Sequence, residues 1–460
     1  MFDGFLRVAA ATPDIRVADC NFNGASAAAL VSEAYEQGVS LLVLPELCLT
    51  GYTCSDLFLQ ESLLDGAGKA LLTLTEATRD KNMVVLAGLP LTVNGVLYNV
   101  AAVLHDGDIL GFVPKSYLPT YSEFYEGRHY HSGADIEADV LFNGRTYPFG
   151  TRLLFRCRQM PAFTLGIEIC EDLWVAQPPS ISHALAGATV IANLSASDET
   201  TGKDIYRRSL VSGQSARLVC GYIYADAGEG ESSTDLVFGA HNLICENGSI
   251  LAESERFSNQ MIMADMDMSK LISERRRMTT WQPKFDNGYR VIDFDFEMHE
   301  VDLRRFIDPH PFVPDDAMDR TRRCEEILTI QAMGLKKRLA HTHCRHAVVG
   351  ISGGLDSTLA LLVTVRAFDM LDMDRSQIMA VTMPCFGTTD RTYHNACELV
   401  RRLGATLEEV DIKEAVTLHF SDIGQDPANH DVTYENGQAR ERTQVLMDIA
   451  NRLGGMVIGT

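Results

Sequence analysis

The sequence predicts an α/β fold in two units, the second a doubly wound parallel sheet, on three observations. Apolar strand-like runs alternate with stretches of helical spacing up to about residue 265, the alternation fades from about 265 to 325, and a new one begins near 326. At about 150 residues per domain, 460 residues give two or three domains. The boundaries that follow are 1–270, a linker over 271–325, and 326–460.

The elements can be justified in order. LLVLP at 41–45, MVVLAGLPL at 83–91, FTLGIEI at 163–169 and TVIANLS at 189–195 are nearly unbroken apolar runs, as expected of strands covered on both faces. Between Ala25 and Gly38 apolar residues recur at helical spacing, with the glycine as a stop. NVAAVL and ILGFV flank HDGD, where Asp106 and Gly107 supply a hairpin turn that tolerates positive φ. SERRRM at 273–278 reads as a solvated face, and the prolines of IDPHPFVPDD suit a linker. HTHCRH at 341–346 lacks the second ligand pair of a zinc site and reads as a polar loop. In the second unit HAVVGI, IMAVTM at 378–383, ATLEEVDI at 405–412 and MVIG at 456–459 are spaced for βαβ connections. Such a sheet carries its ligand loops at the carboxyl ends of its strands, and Thr460 directly follows a strand, so the second unit is expected to be incomplete there.

Composition excludes several classes. With 46% hydrophobic and 22% charged residues, the chain is neither disordered nor of low complexity. Sixty-two acidic against 40 basic residues give a net charge of −22, which repels phosphate backbones and argues against a nucleic-acid partner. No apolar run reaches the ~20 residues that span a bilayer, and the amino terminus, with Asp3 and Asp14 around a short apolar stretch, is unlike a signal peptide. No membrane partner is expected. Eleven cysteines without CxxC pairs suit a reducing compartment, so a cytoplasmic protein is expected, as is a homo-oligomer.

Two motifs carry chemistry. Cys170, in GIEICEDLW, lies just past an apolar strand, where its sulfur is presented at the sheet rim. A thiol of pKa about 8.5 needs a cation or a base to act as a nucleophile at neutral pH. Lys115, after the second hairpin strand, offers an ammonium that acidifies the thiol; Glu46, just past LLVLP, offers a base. On a carboxamide, Cys170 attacks the carbonyl carbon while Glu46 takes the thiol proton and returns it to departing ammonia. Lys115 and the backbone N–H of Glu171 stabilise the oxyanion. Singly, these are more often a core cysteine, a surface lysine and a strand-exit glutamate; jointly, at three strand ends, they can converge on one cleft.

The second motif is SGGLDS, Ser352 to Ser357, between strand and helix. Its backbone N–H groups and the helix amino terminus suit a phosphate. It is neither GxxxxGK[ST] nor GxGxxG. Asp356 can join phosphate oxygens through Mg²⁺ or cap the helix.

PELCLTGY, PKSYLP and GIEICEDLW, in this order, resemble the nitrilase superfamily of carbon-nitrogen hydrolases, over roughly residues 5–265. The resemblance implies a four-layer αββα sandwich with a Glu46-Lys115-Cys170 triad, and Glu123 as the superfamily's additional glutamate. SGGLDS resembles the loop of ATP pyrophosphatases, which implies ATP contacts from Gly350, Ile351, Ser352, Gly353, Gly354, Leu355, Asp356 and Ser357. SGQSARLVCGYIYADAGEGESSTDLVFGAHNLICENG at 212–248, FGTTDRTYHNACELVRRLG at 386–404 and DPANHDVTYENGQARERTQVLMDIAN at 426–451 resemble the glutamine-dependent NAD synthetase family. That family resemblance implies glutamine, ATP and deamido-NAD as substrates, ATP as co-substrate with Mg²⁺, and no prosthetic group. By the same resemblance Tyr121, Glu171, Ser197 and Lys203 bind glutamine, Asn436 and Arg440 face deamido-NAD, Arg442 supports anionic substrates or pairs with local glutamates, and Thr460 reaches ATP. The alternative is a stand-alone nitrilase-superfamily amidase with a regulatory nucleotide-binding domain, against which SGGLDS and ENGQARERTQ argue. A nucleotide-sensing module would leave Glu46, Lys115 and Cys170 without a purpose.

Overall fold

A computed structural model describes residues 4–233, 236–284, 288–298, 300–386 and 390–459. Thr460 and residues 387–389 of the FGTTDR segment lie outside the described residues. The chain divides into two compact units, Met1–Phe306 and Ile307–Thr460.

The first unit contains two sheets. One has eight strands in the spatial order Met261–Asp267, Phe5–Ala11, Leu41–Val43, Val84–Val93, Val96–His105, Asp108–Pro114, Arg145–Gly150, Glu137–Phe142. The other has seven, in the order Ser249–Glu253, Leu243–Glu246, Gly221–Asp226, Val190–Ser195, Thr164–Ile169, Leu153–Cys157, Arg290–Phe294. The period of two along each strand builds the layers. Leu6, Val8 and Ala10 point into the core between the sheets, with Leu41, Val43, Leu165 and Ile167, whereas Ala9, Ala11 and Leu42 face the helices Cys20–Glu36 and Glu61–Ala77. On the second sheet Val190, Ala192 and Leu194 face inward, while Ile191 packs with Ala184 and Val211 of the helices Pro179–Leu185 and Lys203–Leu218. The result is helices, sheet, sheet, helices: a four-layer αββα sandwich. Each large aliphatic side chain so buried contributes about 1.5–3 kcal/mol.

Two elements lie inside the stretch where the periodicity fades. Met268–Arg277 is a helix capped by Asp267, which accepts from the Lys270 N–H at 2.8 Å. Arg290–Phe294 joins the edge of the second sheet parallel to Leu153–Cys157. The reading of SERRRM as a wholly solvated face is corrected at Arg275. Its guanidinium is buried, donates to the carbonyls of Val219, Ala188 and Leu218, and lies 4.5 Å from the Trp281 ring centroid.

The second unit has four parallel strands, in the order Thr406–Glu409, Ile378–Thr382, Ala347–Gly350, Met456–Ile458. Ala347 and Val349 pack toward the helices Ala317–Thr342, Leu355–Asp369 and Asp390–Leu403. Val348 packs on the opposite face, against residues of Lys413–Ile423 and Val432–Leu453. Both faces are covered, as a doubly wound sheet requires. Strand order reverses at Ala347–Gly350, so the SGGLDS loop at its carboxyl end stands at the topological switch point. The described residues include no helix long and apolar enough to cross a membrane.

Candidate active site

Three chain turns, each just past a strand end, converge in the first unit. Glu46 follows Leu41–Val43 in a turn whose next residue, Leu47, has φ +51°. That turn packs onto the strand Val84–Val93 at Gly88, where a β-carbon would collide with the backbone of Pro45, Glu46 and Leu47. Lys115 follows Asp108–Pro114, and Cys170 follows Thr164–Ile169 with φ +43°, a left-handed conformation uncommon outside glycine.

Polar contacts fix these side chains. Lys115 is fully buried and its Nζ donates to Glu46 Oε1 and to Glu126 Oε1, each at 2.6 Å. Glu46 Oε1 also accepts from Asn99 Nδ2 at 2.6 Å, and its Oε2 accepts from the Ala196 N–H at 3.0 Å. Tyr52 donates its hydroxyl to Glu126 Oε1 at 2.9 Å, whereas Glu126 Oε2 is buried without a hydrogen-bond partner. Asn193 accepts from the Cys170 N–H at 3.1 Å. Cys170 is 6% exposed and within electrostatic reach of Glu46, Lys115 and Glu126.

Two corrections follow. The second carboxylate on Lys115 is Glu126, not Glu123; Glu123 is half-buried and lines, with Tyr52, Tyr125 and Glu126, a cavity of about 440 Å³. A turn at Glu126–Arg128 swings the later glutamate inward. The resting thiol, moreover, is not acidified. Burial pushes the Cys170 thiol well above its usual value, Glu46 adds to this, Lys115 opposes it, and Glu126 raises it further. Lys115 itself stays an ammonium: burial opposes its charge, but Glu126 and Glu46 outweigh that. Glu126 is pushed up to about 8, chiefly by burial.

The residues expected around glutamine fall into two neighbouring groups. Tyr121 donates to the Glu171 carboxylate at 2.8 Å, beside Cys170. Lys203 pairs with Asp198, and its ammonium stands 5.5 Å from the Trp174 ring centroid and 5.9 Å from that of Phe124. Ser197 turns inward: its N–H donates to Asp226 Oδ1 at 2.8 Å and its Oγ accepts from Arg207 at 3.3 Å. Asn99, Tyr52, Glu126, Asn193 and Asp172 were not read from the sequence. The two carboxylates of CED after the strand and the paired glutamates of SEFYE were the available signals.

In the second unit Gly353, at φ +81°, could not carry a β-carbon without striking the Thr392 carbonyl. The Ser357 Oγ accepts from the Ser352 N–H at 3.3 Å, and the Ser352 Oγ accepts from the Gly354 N–H at 3.3 Å, which closes the loop on itself. Gly350 and Ile351 lead into the loop, and Leu355 is exposed at the helix start. The helix is capped by Gly354 without a side-chain bond, so Asp356 does not cap it; it is exposed in the first turn. A carboxylate beside an anion loop suits Mg²⁺, which takes few protein ligands and several phosphate or water oxygens. Asn436 and Arg440, four apart, are exposed on one helix face, and no ion pair reaches Arg440 or Arg442 among the described residues.

Comparisons with known proteins agree with this division. The carbon-nitrogen hydrolase family model matches residues 7–276 and the NAD synthase model residues 327–460. A glutamine-dependent NAD(+) synthetase of Mycobacterium tuberculosis is 43% identical over 471 residues, covering 99% of this chain and 69% of that one. Its counterpart in Mycobacterium leprae is 42% identical with the same coverage. The crystal structure of a glutamine-dependent NAD(+) synthetase from Cytophaga hutchinsonii shares the fold, with TM-score 0.52 at 22% identity, over 98% of this chain and 74% of that one. At this level of identity over nearly its whole length, the chain belongs to the glutamine-dependent NAD(+) synthetase family.

Proposed function

We propose that residues 1–270 hydrolyse glutamine at Cys170, Glu46 and Lys115, and that the ammonia attacks deamido-NAD adenylated by residues 326–460, giving NAD, AMP, pyrophosphate and glutamate. The observation that carries this is the buried Glu46–Lys115 contact at 2.6 Å beside the Cys170 thiol. Cys170 Sγ attacks the side-chain carbonyl carbon of glutamine as Glu46 takes the thiol proton. Lys115 and the Glu171 N–H oppose the developing oxyanion charge. Collapse of the tetrahedral intermediate sends that proton to the leaving nitrogen, and water, deprotonated by Glu46, then cleaves the thioester to glutamate. Glu126 shares the ammonium with Glu46 and so aims it.

Tyr121, Glu171, Ser197 and Lys203 bind the charged α-amino and α-carboxyl groups of glutamine in this reading, which the Tyr121–Glu171 contact next to Cys170 supports. In the second unit Gly350 to Ser357 hold ATP phosphates, with Thr460 also at ATP, and Asp356 would hold Mg²⁺ with phosphate oxygens. Asn436 and Arg440 face deamido-NAD. The reading extends to a cytoplasmic homo-oligomer that needs no prosthetic group, since neither half-reaction transfers electrons. The test is glutamate release from glutamine and ATP-dependent NAD formation, measured on one sample. Cys170→Ala should abolish glutamine hydrolysis; persistence of that hydrolysis removes Cys170 from the mechanism.

A further inference from the structure

Lys115 and Cys170 stand on loops from different sheets, and no hydrogen bond or ion pair joins their side chains directly. Asp172 bridges the two loops. It is 1% exposed, in the turn Cys170–Leu173. Its Oδ1 accepts from the N–H groups of Ser116 at 3.1 Å and Tyr117 at 2.8 Å, the two residues after Lys115. Its Oδ2 accepts from the Ile169 N–H at 3.0 Å, the residue before Cys170, and closes the turn in which Cys170 takes its left-handed φ. No ion pair reaches Asp172 among the described residues, so three backbone donors carry its charge. The other hydrogen bond between these loops, Tyr121 to Glu171, is exposed. Oδ2 also accepts from the Ser116 N–H at 3.4 Å, so a buried carboxylate, costly to desolvate, here ties both loops together with both of its oxygens.

We propose that Asp172 is a positioning residue that sets the reach of the Lys115 ammonium toward the Cys170 sulfur and the carbonyl oxygen it attacks. The inference rests on the glutaminase reading for its consequence in turnover, but not for its effect on the thiol. An asparagine at 172 must turn Nδ2 toward at least one of the three N–H donors, so the hold on one loop is weakened. A displacement of about 1 Å at such a site lowers turnover by up to about 100-fold. It also withdraws the one cation that favours the Cys170 thiolate.

The experiment uses the full chain as wild type, Asp172→Asn and Asp172→Glu, measuring glutamate release and the pH dependence of iodoacetamide alkylation at Cys170, read by peptide mass. Asp172→Asn is expected to lower kcat about 10- to 100-fold with KM within about 2-fold. Its alkylation profile moves up by about one pH unit, or about 10-fold slower at fixed pH. Asp172→Glu, which keeps the carboxylate, moves the same way by less. In a Lys115→Met background the Asp172→Asn shift disappears, because there is no ammonium left to position. A fall in kcat with an unmoved alkylation profile, or an undiminished shift in the Lys115→Met background, overturns the proposal. If Asp172→Asn does not fold, the Asp172→Glu profile decides on the same criterion. A wild-type chain that shows the alkylation behaviour but releases no glutamate would instead overturn the glutaminase reading and leave the positioning role standing.

Discussion

Replacing Glu126 by glutamine should make the first unit more stable than wild type as pH rises, while the two stay close in acid. Glu126 is buried against Lys115, and burial raises it from 4.5 to about 8. Between those two values the folded chain holds a proton that the unfolded chain releases, so wild-type stability falls as pH rises through this window. The whole effect is at most about 1.36 × (8 − 4.5), or about 5 kcal/mol, reached near pH 8. Glutamine has no proton to lose. Its Oε1 can still accept from Lys115 and Tyr52, so the contact geometry survives. The assay is urea unfolding followed by tryptophan fluorescence, which reports the first unit alone because both tryptophans, Trp174 and Trp281, lie in it. Asp172 and Asp226, both raised to about 7 by burial, give both proteins the same background slope, which cancels in the difference. A difference between the variant and wild type that is flat from pH 5 to pH 8, or that grows in favour of wild type, refutes the reasoning.

Lys115→Met should destabilise the first unit by about 3–5 kcal/mol, because it leaves the buried Glu46 carboxylate without its cation, and the same urea titration checks it. Its glutaminase activity should fall by about 10²- to 10³-fold through loss of oxyanion stabilisation. Gly353→Ala should abolish ATP-dependent NAD formation while glutamate release persists, since the added carbon strikes the Thr392 carbonyl at φ +81° in the second unit alone.

How far the molecule was legible depended on what each residue had to signal. Buried strands announce themselves: Val84–Val93 and Val190–Ser195 are apolar because both their faces are covered. Gly353 was legible for the opposite reason, as a backbone position that excludes other residues. Arg290–Phe294 was missed because an edge strand with charged, exposed residues lacks that apolar run. Arg275 was missed because its burial rests on carbonyls supplied 56, 57 and 87 residues away. Glu126 was passed over for Glu123 because residues 120–130 have neither helical nor strand period, so nothing local says which glutamate turns inward. Asn99 and Gly88 sit inside strands, and what they serve is distant in sequence: Asn99 donates to Glu46, and Gly88 leaves room for the turn that carries it.

The same long-range packing reverses one piece of chemistry that local reading suggested. A single ammonium beside a thiol lowers its pKa, and three side chains considered alone give a resting thiolate. Here the ammonium already donates to Glu46 and Glu126, and the sulfur is buried with all of them. The Glu46 carboxylate offsets the ammonium, and burial, the larger influence, raises the thiol. Attack concerted with proton transfer to Glu46 fits a thiol in that setting. This arrangement suits an amide. Ammonia leaves only if it is protonated as the C–N bond breaks, and a proton held on Glu46 since the attack is delivered where it is needed.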